Sequence, residues 1–141
     1  MAMTVTDHAT VLRRLIEAAV TGDAGAVAEL VTDDVSGWSP NLFVSSSEQL
    51  RAAMDVREDT FTNLDATVDA SVIGDKAFAE WTVSADHTGP LIIDDDLVVE
   101  ATGRRVYLAG ATFAEFTGDR ISAFRHYFDD LALVEQALSD E

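Results

Sequence analysis

The sequence predicts an α+β domain in which helices gathered at the front of the chain cover one face of a curved antiparallel sheet. Apolar residues recur at helical spacing through the first third. From about Ala66 the period falls to two, and Gly-Asp pairs punctuate the alternating runs where hairpins would turn. With 141 residues, no visible linker and no internal repeat, one domain spanning 1–141 is expected.

Each element follows from local chemistry. Val11, Leu12, Leu15, Ile16, Ala19 and Val20 share one side of a first helix that ends near Thr21-Gly22, with Arg13, Arg14 and Glu17 opposite. Asp23 caps a shorter helix carrying Ala24, Val27, Leu30 and Val31, and Asp33-Asp34 lead into a short strand around Val35 to Trp38 that Pro40 closes. Ser45 to Glu48 reads as a capping box, Ser45 the cap and Glu48 reaching back, at the start of a third helix bearing Leu50, Ala53, Met54 and Phe61. Ala66, Val68, Ala70 and Val72 then alternate with polar residues, and Gly74-Asp75 turns the chain into a second strand. There Trp81, Val83, Ala85 and His87 share the apolar parity. The acid-rich segment IIDDDLVVEATGRR reads as a loop, followed by a strand from about Val106 to Phe116, a turn at Gly118-Asp119, a last strand from Ile121 to about Phe128, and a final helix with Leu131, Val134, Ala137 and Leu138.

Charge narrows the partners. The chain carries 26 acidic and 9 basic residues, a formal charge of −17, so its surface repels phosphate backbones and anionic headgroups. No nucleic acid and no membrane is expected as a partner; a small neutral or cationic molecule is compatible. Cysteine is absent, which excludes disulfides and thiol nucleophiles. MAMTVTDHATVLRR lacks the charged-then-apolar order of a signal peptide, and a cytoplasmic protein is the expectation.

Three strings, in order, carry a family resemblance: DHTGPL with the later ATGRRV, then FTGDRI, then HYFDDLALVEQAL. Over roughly Val11 to Leu138 the chain resembles the SnoaL-like polyketide cyclases of the nuclear transport factor 2-like superfamily. The resemblance implies a cone-shaped sheet enclosing a hydrophobic pocket, usually in a homodimer, and an aldol ring closure run by a pocket carboxylic acid whose place falls on Asp129. No glycine-rich phosphate loop, Gly-x-Ser-x-Gly elbow or nucleotide fingerprint is present, so no cofactor is expected. The related ketosteroid isomerases place a base aspartate before a proline; here Ser39 precedes Pro40, so that base is missing. Trp38 stands where many relatives carry histidine, and Asp130 where they carry glutamine.

Asp129, His87 and Arg125 are therefore the candidate catalytic residues, and Trp38, Trp81 and Tyr127 the candidates for lining the substrate site. Inside an apolar pocket Asp129 would be a raised-pKa acid and base; as the last residue before the final helix it would be a cap. His87 would polarise a carbonyl, or simply bond a backbone group. Arg125, Tyr127 and Asp129 share one side of the last strand, from which Arg125 would hold Asp129 or an enolate oxygen if inward, or form a surface ion pair if outward. Phe124, His126 and Phe128 take the other side, which is expected to be a packing or dimer surface. Glu115 is a reserve carboxylate, and Arg104-Arg105 are expected to answer the Asp94-Asp95-Asp96 loop. No metal is expected, because His126 and Asp129 have opposite parity. The leading function is a cofactor-free acid/base enzyme acting on a small hydrophobic carbonyl compound by cyclisation. Dehydration, isomerisation or epoxide hydrolysis in the same kind of pocket is an alternative, as is a non-catalytic ligand-binding or dimerisation domain.

Overall fold

The computed structural model describes residues 7–40, 42–55, 60–94 and 96–138. The reading of the first six residues, and the role of the Asp130 side chain, fall outside the described residues.

Helix α1 (His8–Thr21) begins where the Asp7 carboxylate accepts the N–H of Ala9, and ends at Gly22, whose φ of 79° only glycine adopts freely. Asp23 caps α2 (Ala24–Leu30) by accepting the N–H of Ala26 at 3.0 Å. Strands β1 (Val31–Ser39) and β2 (Leu42–Val44) follow, then α3 (Ser47–Asp55), the long hairpin β3 (Phe61–Ile73) and β4 (Lys76–His87), the small hairpin β5 (Leu91–Asp94) and β6 (Leu97–Val99), the hairpin β7 (Arg105–Thr117) and β8 (Arg120–Phe128), and α4 (Asp130–Leu138). Six strands form one sheet in the order β2-β1-β8-β7-β4-β3, antiparallel throughout except for the parallel pair β1–β8. The sheet is thus mixed, because β1 is separated in sequence from its partner by two hairpins and enters beside β8 in the same direction.

The helices pack on the concave side. Val11, Leu12, Leu15 and Ile16 of α1 are buried with Val31, Val35, Ala79, Ala114, Ile121 and Phe124 of the sheet, in one core. Burial of a side chain of this size is worth roughly 1.5–3 kcal/mol relative to solvent. His8 stacks on Phe116 at 3.8 Å and its Nε2 lies 3.1 Å from the Gly118 carbonyl oxygen, fixing the start of α1 to the β7–β8 turn.

Several expectations are corrected. The α3 cap is Ser46, whose hydroxyl accepts the Gln49 N–H at 3.1 Å, while Gln49 Oε1 accepts the Ser45 N–H at 2.8 Å; the cap lies one residue later than the spacing suggested because two serines compete for it. The acid-rich segment holds the β5–β6 hairpin instead of a plain loop. Helix α4 leaves Leu131 and Leu138 exposed and is held through Gln136, which accepts the Tyr107 N–H at 2.8 Å and donates to the Tyr107 carbonyl at 2.6 Å. Those backbone groups lie beyond the reach of β8, whose ladder on β7 stops at Gly110, so the Gln136 amide takes the place of a missing strand.

Candidate functional site

The two faces of β8 decide where the chemistry can be. Ile121 and Phe124 are buried against the core, and His126 and Phe128 continue that side into a cavity of about 260 Å³. Helix α1 contributes Ile16, Ala19 and Val20 to its wall; β3 adds Phe61 and Leu64; β4 adds Trp81, Val83 and Ala85; β7 adds Val106 and Leu108. The concave face of the sheet and the apolar side of α1 make this wall, so the same alternation that builds the core also builds the cavity. Among the described residues of its wall, His126 is the one titratable side chain.

His126 is held by a short relay. The indole N–H of Trp81 donates to Thr112 Oγ1 at 2.9 Å, and that oxygen lies 2.6 Å from His126 Nδ1. The Thr112 hydroxyl can give its own hydrogen to Nδ1, the arrangement in which the imidazole proton sits on Nε2. Thr112 is fully buried and sits opposite His126 in the β7–β8 register. Burial pushes the His126 pKa down to about 4, so the ring is neutral at physiological pH. The relay depends on Gly110: a Cβ there would stand 2.5 Å from Trp81 Cζ2 and 2.6 Å from the Tyr127 carbonyl oxygen, so only glycine lets the indole cross β7. Gly37 does the same for Phe124, whose ring packs 4.8 Å from His126.

The candidate residues named from the sequence do not meet in this cavity, apart from Trp81. Asp129 is exposed and caps α4, accepting the N–H groups of Leu131 at 3.0 Å and Ala132 at 3.3 Å. Arg125 is on the convex face, 3.6 Å from Glu115, which also pairs with Lys76 at 3.4 Å; of the two placings open from the sequence, it takes the outward one with a surface ion pair, and so does not reach the cavity. Tyr127 and Trp38 lie together on that face, 47% and 39% exposed, with ring centroids 5.2 Å apart. The parity along β8 holds, but its inner side is the one carrying Phe124, His126 and Phe128. His87 is on the inner side and completely buried, one step past Ala85, and is not part of the cavity wall. Arg105 donates to Asp86 at 3.0 Å and to Ser84 at 2.8 Å. Asp86 is held below the usual carboxylate range by the Asn63 amide first and by Arg105 second. Among the described residues no three histidine, aspartate or glutamate side chains converge as a metal site.

His126 and Thr112 were missed as a pair. The signal for them is Gly110, a glycine inside an otherwise regular strand, which marks a close approach by some bulky side chain.

Comparison with known proteins places this geometry in a family. A search of curated proteins finds no match. Among solved structures, a protein of Jannaschia sp. CCS1 described as a SnoaL-like polyketide cyclase is 19% identical, with a TM-score of 0.77 over 100% of this chain and 98% of that one. IdmH of Streptomyces antibioticus, described as a polyketide cyclase, is 18% identical with a TM-score of 0.76 over 93% and 98%. An epoxide hydrolase of the LEH-like type from M. tuberculosis is 15% identical with a TM-score of 0.63 over 93% and 89%. At these identities the structures share the fold, which is that of the nuclear transport factor 2-like proteins. The family model for SnoaL-like polyketide cyclases matches residues 9–137, and the chain belongs to that family.

Proposed function

We propose that the cavity binds a small, largely apolar carbonyl compound and that His126 engages its oxygen. The observation that carries the reading is one neutral imidazole, oriented by Thr112 and Trp81, in a wall otherwise built of hydrocarbon and aromatic side chains. A neutral imidazole with its hydrogen on Nε2 donates to a carbonyl oxygen, draws electrons from the adjacent C–H bonds and stabilises the enolate that forms on their ionisation. Proton removal next to a carbonyl is the first half of an aldol ring closure, which connects this site with the cyclase family. The carbonyl-polarising part considered for His87 passes, in this reading, to His126, and Asp129 is left as a helix cap. Proton abstraction itself would fall to the substrate's own basic group or to water.

A second reading has its own support. With Asp129 serving as a helix cap, the described residues of the cavity wall include one titratable group, and such a site can bind without catalysing. Deuterium exchange separates the two. In D2O the acetyl protons of 2-acetonaphthone, a flat ketone small enough for the cavity, should exchange faster with the protein present, and His126→Phe should abolish the acceleration. Binding without accelerated exchange supports the non-catalytic pocket, and absence of binding contradicts both.

A further inference from the structure

Past the end of the cavity two hydrogen-bond donors are buried with nothing to receive them. His87 follows Val83 and Ala85 on the inner side of β4. Its Nδ1 lies 3.0 Å from Thr102 Oγ1 and accepts the Thr102 backbone N–H at 3.4 Å. A backbone N–H can only donate, so Nδ1 carries no proton and the hydrogen of the ring sits on Nε2. That Nε2 is buried and unpartnered. Opposite it the chain bulges. Gly103, at φ 70°, donates its N–H to the His87 carbonyl, and the His87 N–H donates to the Arg104 carbonyl, both at 2.8 Å, so that Gly103 and Arg104 together face His87. Arg104 has the parity of Val106, whose side chain is buried on the inner side, and Arg104 Nη1 is likewise buried without a partner. Phe61 is the partition: its ring lines the cavity and lies 5.7 Å from the His87 ring.

An unpaired buried N–H destabilises the fold, and more so when it belongs to a charged group. The bulge brings two such groups to one side of the sheet. In a chain with 26 acidic residues none of the described ones pairs with Arg104, although Arg105, its neighbour, has Asp86. We propose that His87 Nε2 and Arg104 Nη1 form an anion subsite at the end of the cavity, behind Phe61, that receives the carboxylate of an otherwise apolar small molecule. One neutral and one guanidinium donor match the two oxygens and single charge of a carboxylate, and the apolar wall leading to them suits a hydrocarbon or aromatic body. The inference rests on the cavity being a ligand site, as proposed above.

The test compares 2-naphthoate with 2-acetonaphthone, which share ring system and shape and differ in the charge at one end. Affinities are measured on the full chain by following the 15N-labelled histidine side chains in NMR titrations. 2-Naphthoate should bind at least tenfold more tightly than the ketone, against the general repulsion of an anion by this surface, and should move the His87 Nε2 signal. Arg104→Met and His87→Asn should each erase the preference, whereas His87→Gln, which restores a donor near the Nε2 position, should retain it. If the ketone binds and shifts His126 while 2-naphthoate binds no better and leaves His87 unmoved in the wild-type chain, the subsite is overturned and the cavity reading stands. If neither probe binds, both fall.

Discussion

Two histidines on the inner face of the sheet differ in what surrounds them, and the difference sets their chemistry. His126 faces the cavity with its pKa lowered by burial to about 4 from an ordinary 6.5. The unfolded chain takes up that proton below about pH 6.5, while the folded chain resists it until about pH 4. His126 therefore contributes stability that is fully present above pH 6.5 and falls away as the pH drops through that window, by a total on the order of 3 kcal/mol. Urea unfolding of the wild type and of His126→Phe between pH 7.5 and 4 should show a steeper decline in the wild type. Asp86 acts elsewhere on the scale: its lowered pKa gives stability that is lost only below its ordinary value of 3.8, so the two windows separate. From the sequence the parity of these residues was readable and the inward side was not. Both parities of β8 carry aromatic residues, Phe124 and Phe128 on one and Tyr127 on the other, so alternation alone gives no sign to choose between them.

At the level of elements, α4 is the part most governed by polar contacts. Its start is fixed by Asp129 and its middle by the Gln136 amide on the backbone of Tyr107. Asn caps a helix as well as Asp does, whereas Ala does not. Asp129→Asn should thus leave both stability and the catalysed exchange of 2-acetonaphthone unchanged, and Asp129→Ala should cost about 1 kcal/mol in chemical denaturation. A collapse of exchange in Asp129→Asn would return the acid/base role to that carboxyl. The helices, hairpins and turns were largely legible, because 3.6-residue spacing, period-two alternation and the Gly74 and Gly118 turns are local signals. The parallel β1–β8 pair and the β5–β6 hairpin were not, since one joins segments far apart in the chain and the other lies among acids that read as loop.

On the scale of the whole molecule, the convex face of the sheet carries an aromatic row. The strand register aligns Phe43, Trp38, Arg125, Phe113 and Phe78 across five strands, and Phe43, Trp38 and Phe113 are exposed. This is the face on which the homodimer implied by the family resemblance would form, and two copies of charge −17 would repel until salt screens them. Light scattering should then show dimer increasing from low to molar salt, and Phe113→Glu should leave monomer at every salt concentration. A monomer throughout for the wild type would remove the dimer. The concave face has the other task, that of holding the ligand against His126. A crystal structure of the protein with 2-acetonaphthone tests it directly: the ketone oxygen should lie about 3 Å from His126 Nε2, with the rings between Trp81 and Phe128. A ketone bound with its oxygen turned away from His126, or bound on the convex face beside Trp38 and Tyr127, would contradict it.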